Sequence, residues 1–121
     1  MALRPFRVLV CGGRKFTDRA LVYRRLDELA AEHLALFIIE GGQSGADTLA
    51  RKWRHDRLQP GETFHADWKR YGDPAGPIRN KRMLVDGQPD LVLAFPGKTG
   101  TANMIAQAER FGVPVEKVPA H

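Results

Sequence analysis

Two glycines and two cations, Gly12-Gly13-Arg14-Lys15, close the apolar run Arg7–Cys11 (RVLVC), and closely related turns recur twice further along the chain. Leu36–Ile39 (LFII) runs into Gly41-Gly42-Gln43-Ser44-Gly45-Ala46-Asp47. Leu91–Phe95 (LVLAF) runs into Pro96-Gly97-Lys98-Thr99-Gly100-Thr101. Glycine lets backbone N–H groups come close to a ligand, and a helix starting behind each turn adds positive potential. Amides, hydroxyls and cations gathered in this way suit an anion, phosphate first.

Each turn assigns its residues differently. In the first, a phosphate fits on the amides of Gly12 and Gly13 with Arg14 beside it, while Asp18 suits a helix cap. In the second, Gly42, Gly45 and Asp47 are candidates for a sugar side, with Asp47 accepting from a ribose hydroxyl. The spacing departs from the GxGxxG dinucleotide fingerprint, and Ser44 and Asp47 also fit a capping pair. In the third, Gly97-Lys98-Thr99 invites comparison with an NTPase phosphate loop. That loop needs a glycine where this chain has Val92, so ATP hydrolysis of that type is excluded. A phosphate cradle of Gly97, Lys98, Thr99, Gly100 and Thr101 remains, with Gly100 expected at positive φ.

Two further segments carry functional groups. Arg79-Asn80-Lys81-Arg82 puts four donors in one helical turn, and at about 100° per residue only one adjacent pair can face a crevice. Either Arg79 with Asn80 or Lys81 with Arg82 faces the crevice, while the other pair faces water. Asp67-Trp68 offers a carboxylate and a ring able to stack on a base. His33, His55, His65 and His121 show no metal-ligand spacing, so neither a metal nor a cofactor is expected. Cys11 has no identifiable base and reads as a core thiol.

The elements that must position these groups follow from apolar spacing. Short branched runs closed by glycine suit buried parallel strands, whose carboxyl ends share one edge of an open sheet. Helices are expected from Asp18 to His33, from about Gly45 to Leu58, from about Pro77 to Val85, and from Ala102 to Phe111, ended by Gly112. Thr63–His65 reads as a short third strand and Pro114–Val118 as the last. The stretch from Lys69 to Gly76 reads as the longest irregular loop. The fold class is α/β: a single Rossmann-like three-layer domain over residues 1–121, with a mainly parallel sheet of about five strands and helices on both faces.

The chain has 121 residues, 27% charged and 43% apolar, an ordinary globular composition. No apolar stretch approaches the roughly 18 residues of a spanning helix, so no membrane is expected. The first apolar run ends at Gly12, too early for a signal peptide, and a single cysteine fits a reducing cytoplasm. The net charge of +5 and pI near 9.8 favour anionic partners: nucleotides, nucleic acid or phosphorylated metabolites. Self-association into a homo-oligomer stays open.

Set in order, GGRxFTD, GGxxGAD, ADW, AGPIRNxxM and PGxxGTANM resemble the YspA-type proteins of the SLOG superfamily, from about Arg7 to Val118. The resemblance implies a Rossmann-like fold related to the Lonely Guy phosphoribohydrolases, to the DNA-processing protein DprA and to proposed nucleotide sensors. It also implies a catalytic arginine, which falls on Arg79, so Arg79 and Asn80 are the ligand-binding candidates of that run. The hydrolases' glutamate position falls on Met104, and a thioether can neither stabilise an oxocarbenium ion nor act as a base. The expected function is therefore binding of a nucleotide or nucleotide-derived ligand at the carboxyl edge, as sensor or processing domain. One alternative is an N-glycosidase or phosphoribohydrolase-like enzyme, with Arg79 and a carboxylate such as Asp47, Asp67 or Asp18. Another is a nucleic-acid-binding module, motivated by the charge and by Lys69-Arg70-Tyr71 near Arg79, Lys81 and Arg82.

Overall fold

The computed structural model describes residues 4–120. Five strands form one parallel sheet: β1 (Phe6–Cys11), β2 (Leu36–Glu40), β3 (Gly61–Thr63), β4 (Leu91–Ala94) and β5 (Val115–Lys117), in spatial order β3-β2-β1-β4-β5. Between them run α1 (Arg19–His33), α2 (Ala46–Asp56), α3 (Trp68–Tyr71), α4 (Ala75–Val85) and α5 (Thr99–Phe111). The α/β Rossmann-like expectation holds, and the sheet is wholly parallel.

Strand alternation builds the three layers. Val8 and Val10 of β1, Leu36 and Ile38 of β2, and Leu93 with Phe95 point to one face. They pack there against Leu21, Val22, Leu26 and Leu29 of α1 and Ala46, Ala50 and Trp53 of α2. Leu9, Cys11, Ile39, Val92 and Ala94 point to the other face, against Met83 and Leu84 of α4 and Met104 and Ala108 of α5. A strand covered on both faces has no polar side to spare, which is why these runs are continuous in hydrophobicity. Trp53 is fully buried, and its indole N–H donates to Asp27 Oδ1 at 2.9 Å, so the largest core side chain has no unsatisfied donor.

Local differences from the sequence expectation have simple causes. The third strand lies at Gly61–Thr63, because the ladder is entered at Pro60, whose carbonyl accepts from Ile38 N–H at 3.0 Å. The loop expected from Lys69 to Gly76 instead holds α3 and the start of α4. The Asp67 carboxylate caps α3 by accepting from Arg70 N–H at 3.1 Å. Helix α5 begins at Thr99, three residues before the expected start, so Gly100 is helical and not at positive φ. Gly112 ends it in the left-handed conformation at φ 76°. Asp18 caps α1 through Leu21 N–H at 3.1 Å. Among the described residues, no helix is long and apolar enough to cross a membrane.

Candidate functional site

The chain leaves β1 toward α1 and β2 on one side of the sheet, while β4 lies on the other, so β1 and β4 flank the topological switch point. In open parallel sheets ligands bind outside the carboxyl ends of the strands at this place. Here the loops after β1 and β4 are tied together: Gly13 N–H donates to Pro96 O at 2.8 Å. The loop after β2 joins them, with Ala46 N–H donating to Gly13 O at 3.2 Å and Ser44 Oγ to Arg14 O at 3.0 Å.

Two glycines make this junction possible. Gly45 has φ +78°, and a Cβ on it would overlap Gly13 O and the Arg14 carbonyl. A Cβ on Gly97 would collide with the Thr101 side chain and the Gly13 amide. Gly100, by contrast, faces open space. The close approach that the sequence suggested for Gly100 is met at Gly97 instead.

Above the junction lies a crevice of about 800 Å³. It is lined by Gly12, Gly13, Arg14, Lys15 and Phe16 after β1, by Gln43 and Asp47, and by Pro96–Thr101 with Asn103 after β4. Trp68, Asp73, Gly76, Pro77, Arg79, Asn80 and Met83 close it from the α3–α4 side. The structure thus brings Gly12, Gly13, Arg14, Asp47, Trp68, Arg79, Asn80, Gly97, Lys98, Thr99, Gly100 and Thr101 to one cavity. Gly42 packs instead against His65 and Thr63, Gly45 sits behind the first loop, and Asp67 caps α3.

The polar floor is unusual for its burial. Arg79 is 7% exposed, with Nη1 donating to Gly41 O at 2.5 Å and Nε to Asn80 Oδ1 at 3.0 Å. Asp47 is 6% exposed and accepts from the amides of Gly41 and Gln43, both at 3.2 Å. Glu40 is fully buried at the end of β2; it accepts from Gly42 N–H at 2.7 Å and from the Thr63 hydroxyl, with Arg51 Nη1 3.9 Å away. Burial pushes the Asp47 carboxyl up to about 7, aided by the negative charge of Glu40 and opposed by the two amide bonds and by Arg79. Burial also lowers the Arg79 pKa; Asp47 acts against this and the nearby Arg14 guanidinium reinforces it. The Cys11 thiol is pushed up to about 12, mainly by burial, and stays a neutral core group.

Helix periodicity splits the Arg79–Arg82 run into two pairs, and it is Arg79 and Asn80 that turn inward, Lys81 and Arg82 outward. Asn80, however, spends its amide within the protein. Nδ2 donates to Gly100 O at 3.3 Å and to Asn103 Oδ1 at 3.1 Å, and Oδ1 holds Arg79. Gln107 extends this network to Asn103 Oδ1 at 2.8 Å and Pro77 O at 3.0 Å. One amide therefore fixes both the buried guanidinium and the start of α5. Sequence reasoning missed Asn103 and Gln107; their i, i+4 spacing on α5 was the available signal. Met104, at the position of the hydrolases' glutamate, is fully buried in the core. His33 stacks on Phe6, His65 lies against Gly42, and His121 lies outside the described residues.

Comparison with known proteins agrees with this architecture. The profile of the "YspA, cpYpsA-related SLOG family" matches residues 6–71, more than half of the chain. Gene 61 protein of Mycobacterium phage D29 is 38% identical over 117 residues, covering 90% of this chain and 93% of that protein. The chain belongs to the YspA, cpYpsA-related SLOG family. Its fold is similar to DNA processing protein A (DprA) from Streptococcus pneumoniae, with TM-score 0.78 and 19% identity over 97% of this chain. It is also similar to DNA processing protein A from Helicobacter pylori, a structure described for its single-stranded DNA binding mode, with TM-score 0.68 and 19% identity over 97% of this chain. The chain spans 51% of the first of these structures and 66% of the second.

Proposed function

We propose that the crevice receives a phosphate-bearing nucleotide unit of a single-stranded nucleic acid. The observation that carries this reading is the set of cations around it. Arg14, Lys15 and Lys98 line the crevice with no carboxylate partner among the described residues, and Arg14 stands close enough to buried Arg79 to repel it. Like charges held together around an amide-lined cavity are relieved by an anion, and phosphate matches both the guanidinium fork and the amides.

Shape favours a single strand. The cavity suits one nucleotide in size, and Trp68, 43% exposed at its rim beneath the Arg14 guanidinium, offers a face for base stacking. A duplex keeps its bases stacked inward and presents none to such a pocket. The similarity in fold to a DNA processing protein A described for single-stranded DNA binding supports the reading. Fluorescence anisotropy with a thymidine oligonucleotide tests it. Affinity should fall with salt, with a log–log slope of about −0.7 for each phosphate contacted. Absence of binding at low salt would overturn the proposal.

A free nucleotide is the second reading, favoured by the cavity's volume and concavity, which fall in the range of small-molecule sites. Calorimetric titration with mono- and dinucleotides, cyclic nucleotides and ADP-ribose separates the two. In that setting Asp47, titrating near neutrality, and Arg79 form the pair for N-glycoside hydrolysis. Release of free base, lost in Arg79→Ala, would show it; intact nucleotide after long incubation would exclude it for those tested.

A further inference from the structure

A second depression, of about 220 Å³, opens between α3 and α4 on the far side of Arg79. Arg79 lines both cavities, so one buried residue forms part of the wall of each. The other principal groups are His65, Arg70, Tyr71, Ile78 and Arg82. Resting on the single-strand reading above, we propose that this depression is a subsite for the neighbouring nucleotide of the same strand. Arg70 and Arg82 hold its phosphate, and Tyr71 stacks on its base.

Three observations carry the assignment. First, Arg70 and Arg82 are exposed and have no ion-pair partner among the described residues. The one carboxylate lining the depression, Asp67, directs Oδ1 to the Arg70 amide as a helix cap. Second, both guanidinium groups rest on rings: Arg82 lies 5.4 Å from the centroid of Phe64, and Arg70 lies 5.0 Å from that of Tyr71. Ring contact restricts a long side chain before any ligand arrives, which lowers the ordering cost of binding. Third, Tyr71 is 39% exposed beside these cations, the combination of ring and charge that single strands use without regard to sequence. A mononucleotide in the main crevice has no use for this second group of cations; a strand passing over Arg79 does.

The test measures anisotropy of a labelled thymidine oligonucleotide of about sixteen nucleotides, the upper end of compact single-strand sites. The full-length chain is compared with Arg70→Ala/Arg82→Ala, with Tyr71→Ala, and with the control Lys52→Ala/Arg110→Ala. The control removes the same charge from exposed positions on α2 and α5. The double arginine variant should lose at least about tenfold in affinity, and its salt slope should shrink by about 0.7 for the lost phosphate. Tyr71→Ala should lose about tenfold. The control should stay within about twofold, and all variants should melt like the wild type because the altered side chains are exposed. If the wild type binds and the arginine variant binds equally well, the subsite is wrong while the crevice reading stands. If the control loses as much as the arginine variant, the effect is general charge and the subsite is again overturned. Equal affinity for a polyglutamate peptide, lost in the same variants, would reassign the depression to acidic peptides. If the wild type binds no oligonucleotide, it is the crevice reading that fails first.

Discussion

Several cations at the amino edge and flanks of this sheet are paired with carboxylates, whereas most of those at the carboxyl edge are not, Arg51 beside Glu40 being one that is. Arg4 pairs with Asp90 at 2.8 Å, Arg25 with Glu116 at 2.6 Å, and Arg57 with Asp27 at 2.9 Å. These pairs bridge elements distant in sequence and help to lock the strand order. Across the molecule, Arg14, Lys15, Arg70, Arg82 and Lys98 surround the strand ends with no such partner among the described residues. The single buried guanidinium there, Arg79, faces a carbonyl, an amide oxygen and a carboxyl group that burial holds near neutrality. The same residue types thus do structural work at one end and stand ready for a ligand at the other. The net charge of +5 is less informative than where the uncompensated part of it lies.

Substitution of Arg79 should damage the carboxyl edge most. Arg79→Ala should reduce oligonucleotide affinity by about a hundredfold, as expected from losing charge-assisted contacts worth about 1.5–3 kcal/mol each. It should also lower stability, because Glu40 and Asp47 then share a buried site with only Arg51, 3.9 Å from Glu40, as a nearby cation. Binding titration and thermal melting read the two effects separately. Full affinity in this variant would remove the crevice from consideration.

Asp47 sharpens the same point through pH. Its folded-state pKa, about 7, lies above the value near 3.9 expected in the unfolded chain. The native state therefore holds the proton more tightly, and the Asp47 contribution to stability declines as pH rises from about 4 to 7, then levels off. Asp47→Asn keeps an oxygen for the amides of Gly41 and Gln43 and should gain stability relative to wild type over that window. An anion beside Asp47 also disfavours its charged form, so oligonucleotide affinity should fall as pH passes through about 7 in the wild type and stay flatter in the variant. Glu40, Arg79 and Cys11 are the other titratable groups that bear on this carboxyl, and Glu40 and Arg79 are unchanged by the substitution. Parallel pH profiles for the two proteins would show that Asp47 does not titrate there.

Lys98→Ala, at the exposed start of α5, should weaken binding by about tenfold, the value of one charge-assisted contact, with an unchanged melting temperature. A variant that melts early and binds normally would mark this loop as structural. Gly100→Val should be mild, since Gly100 is helical and faces open space, whereas Gly97→Val should disrupt the junction with Gly13 and Thr101.

Strands β1, β2 and β4 and the position of the crevice were legible because continuous branched runs closed by glycine have few other uses. Helical phase split the Arg79–Arg82 run into two pairs, and the family resemblance singled out Arg79. What escaped was tertiary in origin. Helix α3, only four residues long, depends on a cap by Asp67 that no periodicity announces. The early start of α5 depends on Asn80 reaching Gly100 from a different helix. Gly42 and Gly45 looked like ligand contacts, yet one packs on His65 and the other lets two loops touch, a distinction set by neighbours far away in sequence.

Substitutions at the paired edge should matter least to binding, and they control for total charge. Arg4 is exposed, and both terminal contacts to Asp90 involve its Nη1, at 3.0 and 2.8 Å. Such surface pairs are worth about 0.2–1 kcal/mol, so Arg4→Ala should shift the melting temperature slightly and leave oligonucleotide affinity unchanged. Asp90→Ala should cost more than Arg4→Ala, because Asp90 Oδ2 also accepts from the Arg7 amide at 2.8 Å where β1 begins. High salt should narrow the gap between wild type and Arg4→Ala while leaving most of the Asp90→Ala loss in place, since a partly buried bond to an amide is screened less than an exposed ion pair. If Arg4→Ala instead weakened binding as much as Lys98→Ala, the oligonucleotide would be responding to total charge, and the contrast between the two edges would carry no functional meaning.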